Sequence, residues 1–224
     1  MLDALWGTLF PARCLGCNRR GTVLCLECAG SVPYLPAGAC QRCATPPPRG
    51  RTCYACRRLS PALVNVRAVC IYEGVARTAV HTLKFRSGRY VAPVLGRLLR
   101  ENLARQPLRA DLVVPVPMPS RRLRERGYNQ ARLLAEQVVE QVGGTLAPGL
   151  LEKDDRPPQR TLAAAERLAN LRGAIRCTDP ARVAGRRVLL TDDVMTTGAT
   201  LSMCAEALAD AGAERVSGLV FARD

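Results

Sequence analysis

The chain has 224 residues, 48% of them hydrophobic and only 4% aromatic, with a formal net charge of +14. That apolar share is ample for a packed core, and no apolar run approaches the ~18 residues of a membrane-spanning helix, so no membrane span is expected. The basic excess points to an anionic partner, either phosphorylated small molecules or nucleic acid. Lys84 and Lys153 are the only lysines, so 31 of the 33 basic residues are arginine, the side chain suited to bidentate phosphate contacts.

In chain order, residues 2–10 carry Leu2, Leu5, Trp6, Leu9 and Phe10 at helical spacing, a stripe expected to pack on its own domain. Asp3 stands where the basic region of a signal peptide would fall, so no secretion signal is expected. Four CxxC pairs follow within the first 56 residues: Cys14/Cys17, Cys25/Cys28, Cys40/Cys43 and Cys53/Cys56. Each pair can put two thiolates on one metal, and two pairs make a closed tetrahedral zinc site, so two structural Zn2+ ions are expected. Sequential pairing is the simplest arrangement, and an interleaved one has the same spacing. A disulfide framework fits poorly with a chain lacking a secretion signal; an iron–sulfur cluster is the other use of four cysteines. Cys70, Cys177 and Cys204 stand apart and read as small buried apolar residues. Full ligation of two zincs by thiolates would bring the net charge from +14 to about +10.

Ser60-Pro61 reads as a linker, dividing a zinc-ribbon domain, 1–60, from a second domain, 61–224. There the pattern becomes an alternation of strands (66–72, 111–117, 187–190 and 216–221) with helices (74–83, 91–104, 129–142 and one ending near 211). Such alternation predicts an α/β domain with a mostly parallel sheet flanked by helices. After the strand closed by Val-Pro-Val-Pro at 114–117 comes a basic loop with Arg121, Arg122, Arg124 and Arg126, suited to a second anion. The polar stretch 152–161 carries Gln159-Arg160-Thr161. His81 is the only histidine, and a helix-face histidine without a partner reads as structural.

The most specific segment is Val188 to Thr200. An apolar strand leads into Asp192 and Asp193, then into Thr196, Thr197, Gly198, Ala199 and Thr200 at the start of a helix. Carboxylates accept hydrogen bonds from vicinal sugar hydroxyls, and a turn of small residues at a helix N-terminus offers N–H groups to a phosphate. In open α/β sheets ligands bind at this end of the strands.

This run resembles the phosphoribosyl pyrophosphate (PRPP) motif of type I phosphoribosyltransferases. With Leu-Phe-Pro-x-x-Cys-x-x-Cys near the start, His-Thr-Leu-Lys-Phe at 81–85, Arg-Gly-Tyr-Asn-Gln at 126–130 and Glu-Arg-Leu-Ala-Asn at 166–170, nearly the full chain resembles the ComF family of competence proteins. The resemblance implies a type I phosphoribosyltransferase-like fold behind a zinc ribbon, doubled here. It implies that Asp192 and Asp193 hold the ribose, Thr196 to Thr200 hold the 5′-phosphate, and Lys84, Arg121 and Arg126 face the pyrophosphate of Mg2+-bound PRPP. It implies a flexible hood near Arg160. It also ties the chain to natural competence, with incoming single-stranded DNA and competence or DNA-processing proteins as partners. The location implied is cytoplasmic, near the inner membrane face. Two activities follow as expectations: a DNA-handling protein that binds PRPP, and an active phosphoribosyltransferase of nucleobase or amine metabolism with no DNA role.

Overall fold

A computed structural model describes residues 12–46, 53–85, 88–154 and 174–224. The stripe at 2–10, the Gln159–Thr161 hood segment and the 166–170 motif lie outside the described residues. In chain order the elements are α1 (Leu26–Gly30), β1 (Leu63–Ile71), α2 (Gly74–Lys84), α3 (Ala92–Arg105), β2 (Leu112–Pro115), α4 (Ser120–Arg126), α5 (Gln130–Val142), β3 (Thr145–Leu146), β4 (Leu151–Lys153), β5 (Ile175–Cys177), α6 (Pro180–Val183), β6 (Arg187–Met195), α7 (Ala199–Asp210) and β7 (Arg215–Arg223).

Five strands form one sheet in the order β1-β7-β6-β2-β3, and every pairing in it is parallel. β6 and β7, in the middle, are nearly continuous buried runs, as strands covered on both faces must be. One face packs α2, α3 and α5 through Leu83, Leu95, Leu99, Leu134 and Val138. The other packs α7 through Leu201, Cys204 and Leu208. At the far end from the ligand loops, Asp111 accepts from the Arg187 backbone N–H at 2.8 Å and its guanidinium at 2.7 and 3.2 Å. Those hydrogen bonds hold the Asp111 carboxyl down at about 2 and pin β2 to β6.

The parallel sheet and its flanking helices are as the sequence predicts. The strand expected over 111–117 stops at Pro115, because Pro115 and Pro117 have no N–H to continue a ladder. The basic loop after it contains a helix, α4, ending at Gly127 with φ 78°. Its Ser-Arg-Arg-Leu-Arg-Glu-Arg sequence favours helix, with Arg121 and Glu125 paired one turn apart at 2.8 Å. The antiparallel pair β4–β5 is too short to give a periodic signal.

The eight cysteines assemble as the sequential sets. The sulfurs of Cys14, Cys17, Cys25 and Cys28 lie within 4.8 Å of one another, and so do those of Cys40, Cys43, Cys53 and Cys56. The separations between Cys14 and Cys25 (3.7 Å), Cys17 and Cys25 (3.8 Å), Cys40 and Cys56 (3.4 Å) and Cys43 and Cys53 (3.4 Å) fit a tetrahedron with ~2.3 Å zinc–sulfur bonds, whose edge is about 3.8 Å. None is a disulfide; all described cysteines are free. Burial raises the proton affinity of Cys14, but the N–H groups of Cys17, Cys25 and Gly16 outweigh it and bring the thiol to about 6. In the same set, the hydrogen bond to Cys25 and burial push Cys28 up to about 12. Crowded sulfurs that resist losing successive protons suit a divalent cation, and these two sets are structural zinc sites.

The two ribbons sit on opposite faces of the sheet. Cys14, Leu24, Cys28 and Val32 join the core on the α2 side, whereas Cys43, Ala44 and Leu59 join the core on the α7 side. The chain between them runs along the free edge of β1. Ile71 N–H donates to Pro33 O (2.8 Å), Leu35 N–H to Val69 O (3.1 Å) and Val66 N–H to Arg42 O (2.8 Å). An edge strand that would otherwise present unpaired backbone groups is thereby covered.

Candidate functional site

Adjacent residues of a strand point to opposite faces, and Asp192 and Asp193 near the end of β6 do so. Asp193 is 2% exposed, and Lys84 at the end of α2 places Nζ 3.0 Å from its Oδ2. Its Oδ1 accepts from Val194 N–H at 2.8 Å. Asp192 accepts from Asp193 N–H at 2.8 Å, and its charge is felt on the other face, by Cys204 of α7. Asp192 keeps some open surface, yet its carboxylate is desolvated. That burial, and then the charge of Asp193, raise its proton affinity well above the usual carboxylate range. One acid therefore has its cation, while the other sits in an environment that favours a hydroxyl donor or a metal ion.

The loop after β6 turns at Gly198, with φ 81°, which caps α7. A Cβ there would meet Leu59 Cδ2 at 2.3 Å and Met195 Cε at 2.8 Å, so any other residue would adopt a strained φ and push aside the ends of two side chains that join the loop to the second ribbon. Thr196 and Thr197 are exposed, and Ala199 and Thr200 open the helix. Thr197 Oγ1 accepts from Ala199 N–H at 3.3 Å. Beneath the loop lies Arg223, at the end of β7, only 7% exposed. Its Nη1 donates to Met195 O at 3.0 Å and Thr196 O at 2.5 Å. Those carbonyls are thus held from inside, and the helix start beside them is a terminus of the kind that favours an anion.

Four sequence motifs converge here. Tyr128 Oη donates to Leu83 O at 2.6 Å. The Arg126 guanidinium lies 5.5 Å from the Phe85 ring and donates to Gln130 at 2.5 Å. Asn129 caps α5 by accepting from Ala131 N–H at 2.9 Å and donates to Val116 O at 2.9 Å. The 126–130 motif is therefore a clamp: it fixes α2, and with it Lys84, against the strand end that carries Val-Pro-Val-Pro. Arg126 comes to the Lys84–Phe85 corner. Arg121 does not; it is 82% exposed on α4 and paired with Glu125 of the same helix. His81 is exposed, its ring 4.8 Å from that of Phe85.

Sequence reasoning missed three residues. Arg223 lines a 320 Å³ cavity with Tyr54, Ala55, Arg58, Thr196 and Thr197, between the second ribbon and the phosphate-type loop. The signal for Arg223 was an arginine closing the apolar run 216–222. Nothing local to Tyr54 or Arg58 marks them, since only the folded ribbon brings them to the loop. A larger cavity of 720 Å³ separates α4 and α5 from the β4 hairpin, lined by Arg89, Leu123, Arg132 and Lys153 among others.

Residues 5–57 match the model of the double zinc ribbon domain, and residues 128–224 match that of the phosphoribosyl transferase domain. The DNA utilization protein YhgH of Salmonella typhi is 32% identical over 91% of this chain and 85% of its own length. The chain belongs to the ComF/YhgH family. Other relatives are the competence protein F of Haemophilus influenzae, 27% identical over 96% of this chain and 98% of its own, and the competence protein ComFC of Bacillus subtilis, 27% identical over 99% and 90%. Among solved structures, the glutamine PRPP amidotransferase from B. subtilis is similar over 59% of this chain and 26% of its own, at 24% identity and a TM-score of 0.43. The double ribbon accounts for the paired cysteine sets of this ComF/YhgH protein, and the transferase match covers Tyr128 to Gln130, the acid pair and the loop, with Lys84 and Arg126 ahead of it. Among the described residues no helix is long and apolar enough to cross a membrane.

Proposed function

We propose that this ComF/YhgH protein binds Mg2+-PRPP at the end of β6 and acts in natural competence, handling incoming single-stranded DNA in the cytoplasm near the inner membrane. The observation that carries the PRPP reading is the unbalanced acid pair beside the phosphate-type loop. Asp193 is neutralised by Lys84 at 3.0 Å, while Asp192 has raised proton affinity. Ribose hydroxyls or the Mg2+ that accompanies PRPP would satisfy Asp192, and the Thr196–Thr200 loop would take the 5′-phosphate. Lys84 and Arg126 are the cations that would face the pyrophosphate. The DNA role is supported by the relatives' names and by the net charge of +14.

Calorimetry tests the first part. Mg2+-PRPP should give saturable heat with the intact protein and none with the Asp192→Asn, Asp193→Asn double variant. Absence of heat with the unaltered protein would sink the PRPP reading. A titration of a labelled single strand at two salt concentrations tests the second. Backbone contacts predict affinity that falls steeply with salt, and affinity indifferent to salt would count against it. Pyrophosphate release in the presence of candidate bases or amines would instead mark a transferase, for which the cationic Lys84–Arg126 corner is the supporting feature.

A further inference from the structure

The 320 Å³ cavity is on the ribbon side of the phosphate-type loop, and Asp192, Asp193, Lys84 and the α4 arginines have no part in its lining. A free sugar phosphate held by the acids and the loop would leave it empty. Its size is at the lower end of the ~300–1,000 Å³ typical of small-molecule sites. Its walls suit a nucleoside. Tyr54 is 68% exposed, with Arg57 Cζ 4.9 Å from its ring centroid; one ring face is thus covered by a cation and the other is left for a base. Arg58 adds a positive charge. Arg223 is nine-tenths buried in the cavity wall, where its Nη1 holds the carbonyls of Met195, Thr196 and Asp224 and its Nη2 the Thr45 hydroxyl, so its charge is fixed beside the loop.

We propose that this cavity is a nucleotide subsite: it takes the nucleoside esterified to the far oxygen of the loop phosphate, so the protein holds the 3′-terminal nucleotide of a single strand. The inference rests on the acid pair and loop holding a sugar phosphate as proposed above. The end is specified by charge. A phosphate on the loop places the sugar hydroxyls toward Asp192. A free 3′-hydroxyl can donate there, whereas a 3′-phosphate would bring negative charge against a carboxylate that is already desolvated. The penultimate nucleoside then lies on Tyr54, and the strand leaves across the arginines of the second ribbon. PRPP and a strand end would compete for the loop, which joins the two halves of the proposed function in one site.

The test uses the full zinc-loaded chain and 5′-labelled oligothymidine ending in a 3′-hydroxyl or a 3′-phosphate, with PRPP as competitor. The hydroxyl-ended strand should bind about tenfold more tightly than the phosphate-ended one, since one charge-assisted hydrogen bond is at stake, and PRPP should displace it. Tyr54→Ala should weaken strand binding about tenfold, the worth of one stacked base, with Tyr54→Phe close to unaltered. Arg58→Ala, outside the cysteine set, should weaken it similarly. Neither residue belongs to the acids and the loop assigned to the sugar phosphate, so PRPP heat should persist in both, with zinc content confirming the fold. An oligouridine of equal length names the strand: tighter binding than thymidine marks an RNA end, equal or weaker binding a DNA end. If PRPP binds the protein but does not displace the strand, or if both 3′ ends bind equally, the subsite is refuted; if PRPP itself does not bind, it is the underlying reading that fails.

Discussion

Lys84 pairs with Asp193, and among the described residues no cation is paired with Asp192. Removing the lysine leaves Asp193 charged and buried. Lys84→Met should therefore destabilise the protein by roughly 3 kcal/mol, the low end for a broken buried pair because Lys84 is partly exposed. Adding Asp193→Asn should recover much of that loss, and urea unfolding of the four corners of the cycle measures it. Asp192 should behave in the opposite way. An acid whose pKa is raised by folding binds more protons folded than unfolded, so stability falls as pH climbs from its unfolded value near 4 up to its shifted value. Asp192→Asn removes that cost and should stabilise the fold at neutral pH by roughly 0.5–2 kcal/mol while abolishing PRPP heat. Thermal unfolding at pH 7 and at pH 4 checks the sign: the gain belongs to pH 7 and shrinks at pH 4.

At the scale of elements, the loop between β6 and α7 is fixed by its glycine. Gly198→Ala takes on a left-handed φ of 81° and must displace the side-chain ends of Leu59 and Met195, and should cost roughly 1–3 kcal/mol. If denaturant unfolding shows no loss, the close packing of ribbon and loop is misread. At the opposite end of the sheet, Asp111 has a depressed pKa of about 2. Its contribution is present above its unfolded pKa near 4 and lost as pH falls through about 2. The β6–loop–α7 unit was legible in the sequence because one short segment holds every part: the apolar run 188–190, the acids, the small residues and the helix start. The clamp was visible as the motif 126–130, but not its purpose, because Tyr128 and Leu83 are far apart in sequence and meet only when α2 packs on the sheet. α4 was hidden by the prolines at 115, 117 and 119, which read as loop although they stop just short of a helix-favouring run. Arg121 and Arg126 looked equivalent; the helix turns one outward to Glu125 and the other inward to Phe85.

At the scale of the molecule, the ribbons grip the sheet from both faces. Native mass spectrometry should find two zincs per chain. Their loading should weaken as pH falls from 7 to 5, because zinc must displace protons from thiols such as Cys14, near 6, and Cys40, near 7. Chelation should do more than unfold two small knuckles. It releases the anchors of the 33–42 segment, so β1 regains a bare edge, and light scattering should rise on chelation under reducing conditions. The path of that segment also bears on the order in which the molecule is made. β1 lies beside β7 in the sheet, a strand synthesised some 150 residues later by the numbering. Until β7 emerges, β1 has one neighbour, the ribbon segment that precedes it, and that neighbour holds its place only if both cysteine sets already carry metal. Zinc capture is then an early event in the life of the nascent chain, and a cell short of zinc would accumulate unfinished sheets rather than finished proteins lacking a cofactor.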